Sequence, residues 1–414
     1  MNSWLRETTP SERRALLGGF LGWGVDGFDF MIYTFVIPTL LAAWSMSNAQ
    51  AGFIATGALL TSAAGGWGAG VLADRFGRVR VLQLTVLWFA VFTFLSGFTH
   101  SYPELLVTRT LQGFGFGGEW AVGSVLIAET MEARHRGKAV GLMQSSWALG
   151  WAAAALAFWG IYALVPPELG WRILFWVGIA PALLVMYIRR RVEESALYLD
   201  TRRQMRASGD RAHFLDIFRI PLRRTTVFAS LLCCGMLGAY YSVTTWLPTY
   251  LKNERHLSVV GTSSYLLVLI AGSFAGYLAG AWLSDALGRR RCFMLFAVCG
   301  ALLILAYTWM PISDAEMLAL GFPLGFFLSG IFSGMGAFLS ELYPNAVRGS
   351  GQGFCYSIGR AVSAFCPALI GAWSAHVPLG VGIGALTAAG YGLVVAAAWV
   401  LPETRGRSLR RAAP

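Results

Sequence analysis

Lysine is nearly absent from this chain. Only Lys138 and Lys252 occur, beside 30 arginines. Charge of either sign is scarce, at 13% of 414 residues, where a soluble domain carries about a quarter. The five histidines (100, 135, 213, 256 and 376) all lie in or beside polar stretches, so no imidazole is placed to carry protons inside an apolar run. The six cysteines (233, 234, 292, 299, 355 and 366) fall within or at the edge of apolar runs without metal-ligand or C-x-x-C spacing. They read as structural thiols, and no metal site is expected. A G-x-S-x-G turn and a Walker sequence are both missing. GFGFGG at 113–118 looks like a phosphate loop in its letters but sits inside an apolar run. These absences exclude the familiar enzyme signatures; the chain is expected not to be an enzyme and to need no cofactor.

What the chain does have is long apolar runs, about twelve of them, over 15–43, 50–73, 80–99, 103–130, 138–164, 171–189, 225–251, 258–284, 290–310, 315–342, 350–374 and 379–401. Runs of roughly 20 residues read as membrane-spanning helices. A transmembrane barrel would instead show segments of about ten residues with alternating polarity. The expected fold class is therefore all-α integral membrane, with 12 transmembrane helices. MNSWLRETTPSERR precedes the first run, which is too long for a signal-peptide core and lacks a small-residue cleavage site, so it reads as a retained helix.

The net charge of +11 follows topology. Arg13 and Arg14, Arg75 to Arg80, Arg134 to Lys138, Arg289 to Arg291 and Arg405 to Arg411 alternate with loops 44–49, 100–103, 311–316 and 374–378, which carry no basic residue. This positive-inside pattern places both termini in the cytoplasm and predicts an even number of spans, in the inner (plasma) membrane. Nucleic acid is not an expected partner; the lipid bilayer is.

A polar segment over 190–224 holds nine Arg and five acids and reads as a cytoplasmic linker. It separates an expected N-terminal six-helix bundle (1–189) from a C-terminal one (225–401), with 402–414 as a cytoplasmic tail. The bundles repeat each other. GVLADRFGRVR at 70–80 matches GAWLSDALGRRR at 280–291, and Glu129 followed by Arg136-Gly137 matches Glu341 followed by Arg348-Gly349. Duplicated halves with a midplane site between them are common among transporters.

The loop Gly70-x3-Asp74-Arg75-x-Gly77-Arg78, echoed at Gly280, Asp285, Gly288 and Arg289, resembles the signature loop of the major facilitator superfamily. The R-x-x-x-G-x-G-x-G-G-E pattern from Arg109 to Glu119 resembles that family's fourth-helix motif. DGFDF (26–30), GGEW (117–120), GWR (170–172) and TWLPTYL (245–251) look most like the sialate:proton and aromatic-acid:proton symporters, while PETRG (402–406) is similar to a sugar-porter ending. The resemblance implies two pseudo-symmetric six-helix bundles, alternating access, and a latch built on Asp74 and Asp285 that stabilises the outward-facing state. Glu129 with Arg136, and Glu341 with Arg348, are expected as cytoplasmic ion pairs.

Charge at mid-bilayer costs about 2.5–3.5 kcal/mol per residue on insertion scales and seldom persists without a role. Five residues qualify: Asp26, Asp29, Arg109, Glu119 and Arg360. Asp26 and Asp29 share a helix face with Tyr33, roughly 16–21 Å in from residue 15. Neighbouring carboxylates in low dielectric resist simultaneous ionisation, which suits a proton-coupling site. Arg109, Gln112, Phe116 and Glu119 share a second face. The resemblance implies that Arg109 couples protonation to conformational change, with Glu119 as its ion-pair partner or a second proton site. Arg360 has no acid near it in the membrane part of its own half, so a carboxylate substrate or a carboxylate of the other half is its expected partner. Trp120, Gln144, Trp147, Tyr240, Tyr241 and Trp246 join Tyr33 and Gln112 as candidates to line the cavity.

The resulting expectation is a monomeric proton-coupled symporter that takes up a small organic anion. A sugar or polyol porter and an efflux pump are the alternatives.

Overall fold

The computed structural model describes residues 6–131, 136–194, 214–343 and 347–405. Its helices are α1 (Pro10–Ala43), α2 (Asn48–Phe76), α3 (Arg78–Ser96), α4 (Tyr102–Thr130), α5 (Arg136–Leu164), α6 (Pro167–Val177), α7 (Pro181–Arg191), α8 (Leu222–Asn253), α9 (Val259–Leu287), α10 (Arg289–Trp309), α11 (Asp314–Gly330), α12 (Met335–Leu342), α13 (Arg348–Ser363), α14 (Phe365–Trp373) and α15 (Leu379–Val400). No strand occurs among the described residues. Nine stretches are long and apolar enough to cross a membrane; α2, α4 and the α6–α7 pair complete twelve crossings, six in each half.

Three of the expected spans are broken in two. Proline explains two of the breaks, because it withholds the N–H that the preceding turn needs. Pro181 opens α7 after the turn that closes α6, and Pro367 lies just beyond the α13–α14 break at Ala364. In the tenth span the chain between Gly330 and Met335 tightens into i→i+3 bonds, Phe332 N–H to Ser329 and Met335 N–H to Phe332. Several other helix starts are set by side-chain caps. Thr9 with Glu12, Ser47 with Gln50, and Ser313 with Glu316 form capping boxes on α1, α2 and α11.

Each half is held by helices in backbone contact. A side chain on Gly117 would start 1.7 Å from the Ser62 carbonyl oxygen, and one on Gly325 1.8 Å from that of Leu269. These positions join α4 to α2 and α11 to α9 in the same manner, as expected of membrane helices packed through small residues. Between the halves, α1 packs on α8, α2 on α13 and α14, and α5 on α9.

The halves touch near both ends. At the end away from the basic loops, Asn48 Nδ2 donates to Ser374 Oγ (2.8 Å) and Thr56 Oγ1 to the Ala364 carbonyl (2.6 Å). At the basic end Gly141 faces Ala281, and Gly336 faces Val140. A small cavity of about 10 Å³, room for about one water, lies at mid-depth among α1, α2 and α4 of the first half, bounded by Phe30, Tyr33, Arg109, Gln112 and Phe116 among others, with Thr245 of α8 on its far wall.

At the basic end the two signature loops share one build. Gly77 (φ 104°) and Gly288 (φ 95°) adopt the left-handed region that favours glycine, turning the chain into α3 and α10. The first N–H groups of each helix are then taken by a glutamate from the far end of the same half. Glu194 accepts from Arg78 N (3.0 Å) and Val79 N (3.2 Å); Glu403 accepts from Arg289 N (2.9 Å) and Arg290 N (3.1 Å). Glu341 pairs with Arg289 (3.1 Å), a loop-motif residue, and accepts from Thr404 Oγ1 (2.6 Å). The side chains of Asp74, Arg75, Glu129, Arg136, Asp285 and Arg348, expected in the latch and its ion pairs, lie outside the described set, as does 195–213 of the linker.

Candidate functional site

Helices α1 and α4 run antiparallel, and their register sorts the buried charges. Phe30 stacks on Phe116 (centroids 5.5 Å apart) and Trp23 lies against Trp120 (6.4 Å). Above this pair of contacts, Asp29 Oδ2 accepts from Gln112 Nε2 (2.5 Å) and lies 3.8 Å from Arg109 Nη1. The ion pair is too long for a hydrogen bond. Arg109 is also 5.6 Å from the ring centres of Tyr33 and Phe175. Tyr33 spends its hydroxyl on the Ala51 carbonyl (2.7 Å).

One turn toward the basic end, Asp26 meets Glu119. Both are fully buried, and no described donor reaches any of their four carboxyl oxygens; the two carboxyls are within hydrogen-bonding reach only of each other. The sequence puts Asp26 and Asp29 on one face as neighbours, and the fold gives them different partners. It also separates Glu119 from Arg109, whose carboxylate is Asp29.

Arg360 enters this region from α13 in the other half. It is 2% exposed. Its Nη2 donates to Tyr356 Oη (3.1 Å), and its guanidinium lies 4.8 Å from the Tyr356 ring centre and 5.2 Å from that of Phe116 across the seam. Among the described residues, no carboxylate lies within 4.0 Å of it, and its Nε has no partner. Tyr241 of its own half and, across the seam, Asp26 also face it.

Aromatic rings complete the site. Tyr356 stacks on Trp120 (3.9 Å), whose indole donates to Gln144 Oε1 (3.3 Å). Trp147 Nε1 donates to Tyr240 Oη (2.5 Å), joining α5 to α8. Tyr241 packs on Phe30 (5.8 Å). Trp246 is placed elsewhere: its indole donates to the Pro367 carbonyl (3.0 Å), between α8 and α14 of one half. Sequence reasoning passed over Tyr356, although its i−4 spacing to Arg360 was available. It also passed over the caps Glu194 and Glu403.

Duplicated helical halves, paired signature loops and a charged central seam accompany a match of the chain to the family model of the Major Facilitator Superfamily, over residues 19–320 and 269–413. The chain belongs to the major facilitator superfamily. It is a transporter by family, not an enzyme. It is 40% identical over 98% of its length, and 94% of the relative's, to a protein of Cupriavidus pinatubonensis (strain JMP 134 / LMG 1197) described as "Probable 4-methylmuconolactone transporter". It is 27% identical to the sialic acid transporter NanX of Escherichia coli K12, over 95% of each chain. Among solved structures it resembles the proton:xylose symporter XylE bound to 6-bromo-6-deoxy-D-glucose, with a TM-score of 0.77 at 20% identity over 96% of this chain and 98% of that one. That likeness concerns the fold.

Proposed function

We propose that this superfamily member is a proton-coupled symporter that takes up a small organic anion by alternating access, as a monomer in the inner membrane with both termini cytoplasmic. The observation that carries the reading is Arg360: a fully sequestered guanidinium at the seam, with no carboxylate in ion-pair range among the described residues. Such a charge calls for an anion, and a substrate carboxylate can bind it bidentately. Phe116, Tyr356 and Trp120 would pack the organic part. The relatives named for 4-methylmuconolactone and sialic acid support an organic acid as cargo. A neutral sugar would leave Arg360 unpaired. The buried carboxylates of α1 and α4 would supply the proton site, with Arg109 linking protonation to the movement of α4 against α1.

The test is reconstitution into liposomes that enclose a pH dye, with 4-methylmuconolactone, sialic acid, benzoate and xylose added outside in turn. Internal acidification with one or more acids, absent with xylose and lost in Arg360→Gln, is the expected result. A response to xylose, or none to any acid, would overturn the reading.

A further inference from the structure

We propose that Asp26 and Glu119 share a proton and together form the proton-carrying site, whereas Asp29 serves as a fixed counter-charge to Arg109. The inference deepens the symport reading and rests on it for its place in the transport cycle.

The packing of α1 on α4 makes the site. A Cβ on Gly22 would lie 2.3 Å from Glu119 Oε1, so the missing side chain is what admits the carboxyl. Gly123 bounds the same oxygen on the other side, with its Cβ position 3.3 Å away. Asp26 lies one helical turn beyond Gly22 on the same face. Two carboxylates cannot bond each other, because both only accept; a carboxylic acid beside a carboxylate can. A proton arriving from whichever side is open converts one carboxylate to an acid that donates to the other. No other bond changes, and departure of the proton reverses the step. Asp29 is differently placed, with an amide donor and a cation already on Oδ2.

The charged groups that face the pair are few. Asp29 lies on α1 itself, and Arg360 acts on Asp26 from α13. Helices α5 and α8 also pack on α1, and their buried residues at this depth, Ser146, Trp147, Tyr240 and Tyr241, carry no charge. Arg360 therefore links the two cargoes. A carboxylate seated on it offsets its attraction for ionised Asp26, so anion binding favours the proton, and by reciprocity the proton favours the anion.

The experiment is an infrared pH titration of the purified full-length protein, following the C=O stretch of protonated carboxyl groups with no transported compound present. Asp26→Asn, Glu119→Gln, Glu119→Asp and Asp29→Asn variants that remain monodisperse are compared with the parent. The expected result is a parent band that is lost, or moves by more than about one pH unit, in both D26N and E119Q. E119D should retain a titrating band, and D29N should keep the parent band at undiminished amplitude, its midpoint moved by less than about one pH unit because one nearby charge is gone. Loss in D29N with no change in D26N and E119Q would overturn the assignment, and so would two bands that each vanish in one variant without moving the other. Adding 4-methylmuconolactone or sialic acid should increase the protonated band in the parent and not in Arg360→Gln; an increase that survives in R360Q would overturn the link. The titration needs no transport. A shared band beside a silent liposome panel would refute the symport reading alone, and the reverse pattern would refute the carboxyl pair alone.

Discussion

Glu194 and Glu403 hold equivalent places in opposite halves: each caps, with both carboxylate oxygens, the first turn of a helix that starts after a left-handed glycine. The positive end of a helix favours such an anion, and a lost cap costs about 1 kcal/mol. Partial burial works against the charge on Glu403. The backbone N–H groups of Arg289, Arg405, Arg290 and Thr404 outweigh it and hold the carboxyl below the usual glutamate range. The cap is therefore fully present above that range and is lost as pH falls through the depressed value. Thermal unfolding of Glu403→Gln should show a lower midpoint than the parent at neutral pH, with the gap closing in acid.

Arg360 tests the anion site by charge and by shape. Hydrogen bonds to a charged group contribute about 1.5–3 kcal/mol, so Arg360→Gln should raise the apparent KM for the transported acid at least tenfold. Arg360→Lys keeps the charge but loses the planar fork and should fall between the two. Initial uptake rates against concentration in liposomes check both.

Gln112 should matter without touching the cargo. Replacing it with Leu leaves Asp29 Oδ2 with only the distant Arg109. An unsatisfied buried acceptor costs about 1–3 kcal/mol. The expected outcome is a lower melting temperature and slower uptake with little change in KM. A KM effect as large as that of Arg360→Gln would instead place Gln112 against the substrate.

The contact of α2 with α14 closes the end opposite the basic loops. A Cβ on Gly52 would lie 2.5 Å from the Pro367 carbonyl oxygen. Gly52→Trp should therefore hold that end apart and abolish uptake in a protein that still folds. A cysteine placed at Thr245, beside the central cavity, should react faster with a thiol reagent from that side in this background than in the parent.

The twelve crossings were legible because length and hydropathy alone define them, and the buried charges stood out because so few charges exist. The breaks were not legible in that way: hydropathy runs smoothly through Pro181 and Pro367, where the backbone does not. Spacing placed Asp26 and Asp29 on one face correctly. Their separation into two clusters depends on the register of α4, which brings Gln112 opposite one and Glu119 opposite the other. The place of Trp246 was not legible for a related reason. A helix apolar on all sides gives no clue to which side faces the cavity, and the indole of Trp246 turned out to serve the α8–α14 contact. Glu194 looked like one more acid in a polar linker; its cap exists only because the chain returns to Gly77 from more than a hundred residues away.

Among the described residues, the ion pairs of the helical halves, Arg14–Glu193, Arg109–Asp29, Arg255–Asp314 and Arg289–Glu341, each stay within one half. At mid-depth the seam is crossed by rings instead: Trp120 on Tyr356, Phe30 on Tyr241, Trp147 on Tyr240. Ring faces can roll and slide with small loss, whereas a severed buried ion pair strands two charges. In the alternating access proposed above, the middle of the molecule would act as a bearing, on which the halves tilt in either direction without breaking an ion pair across the seam.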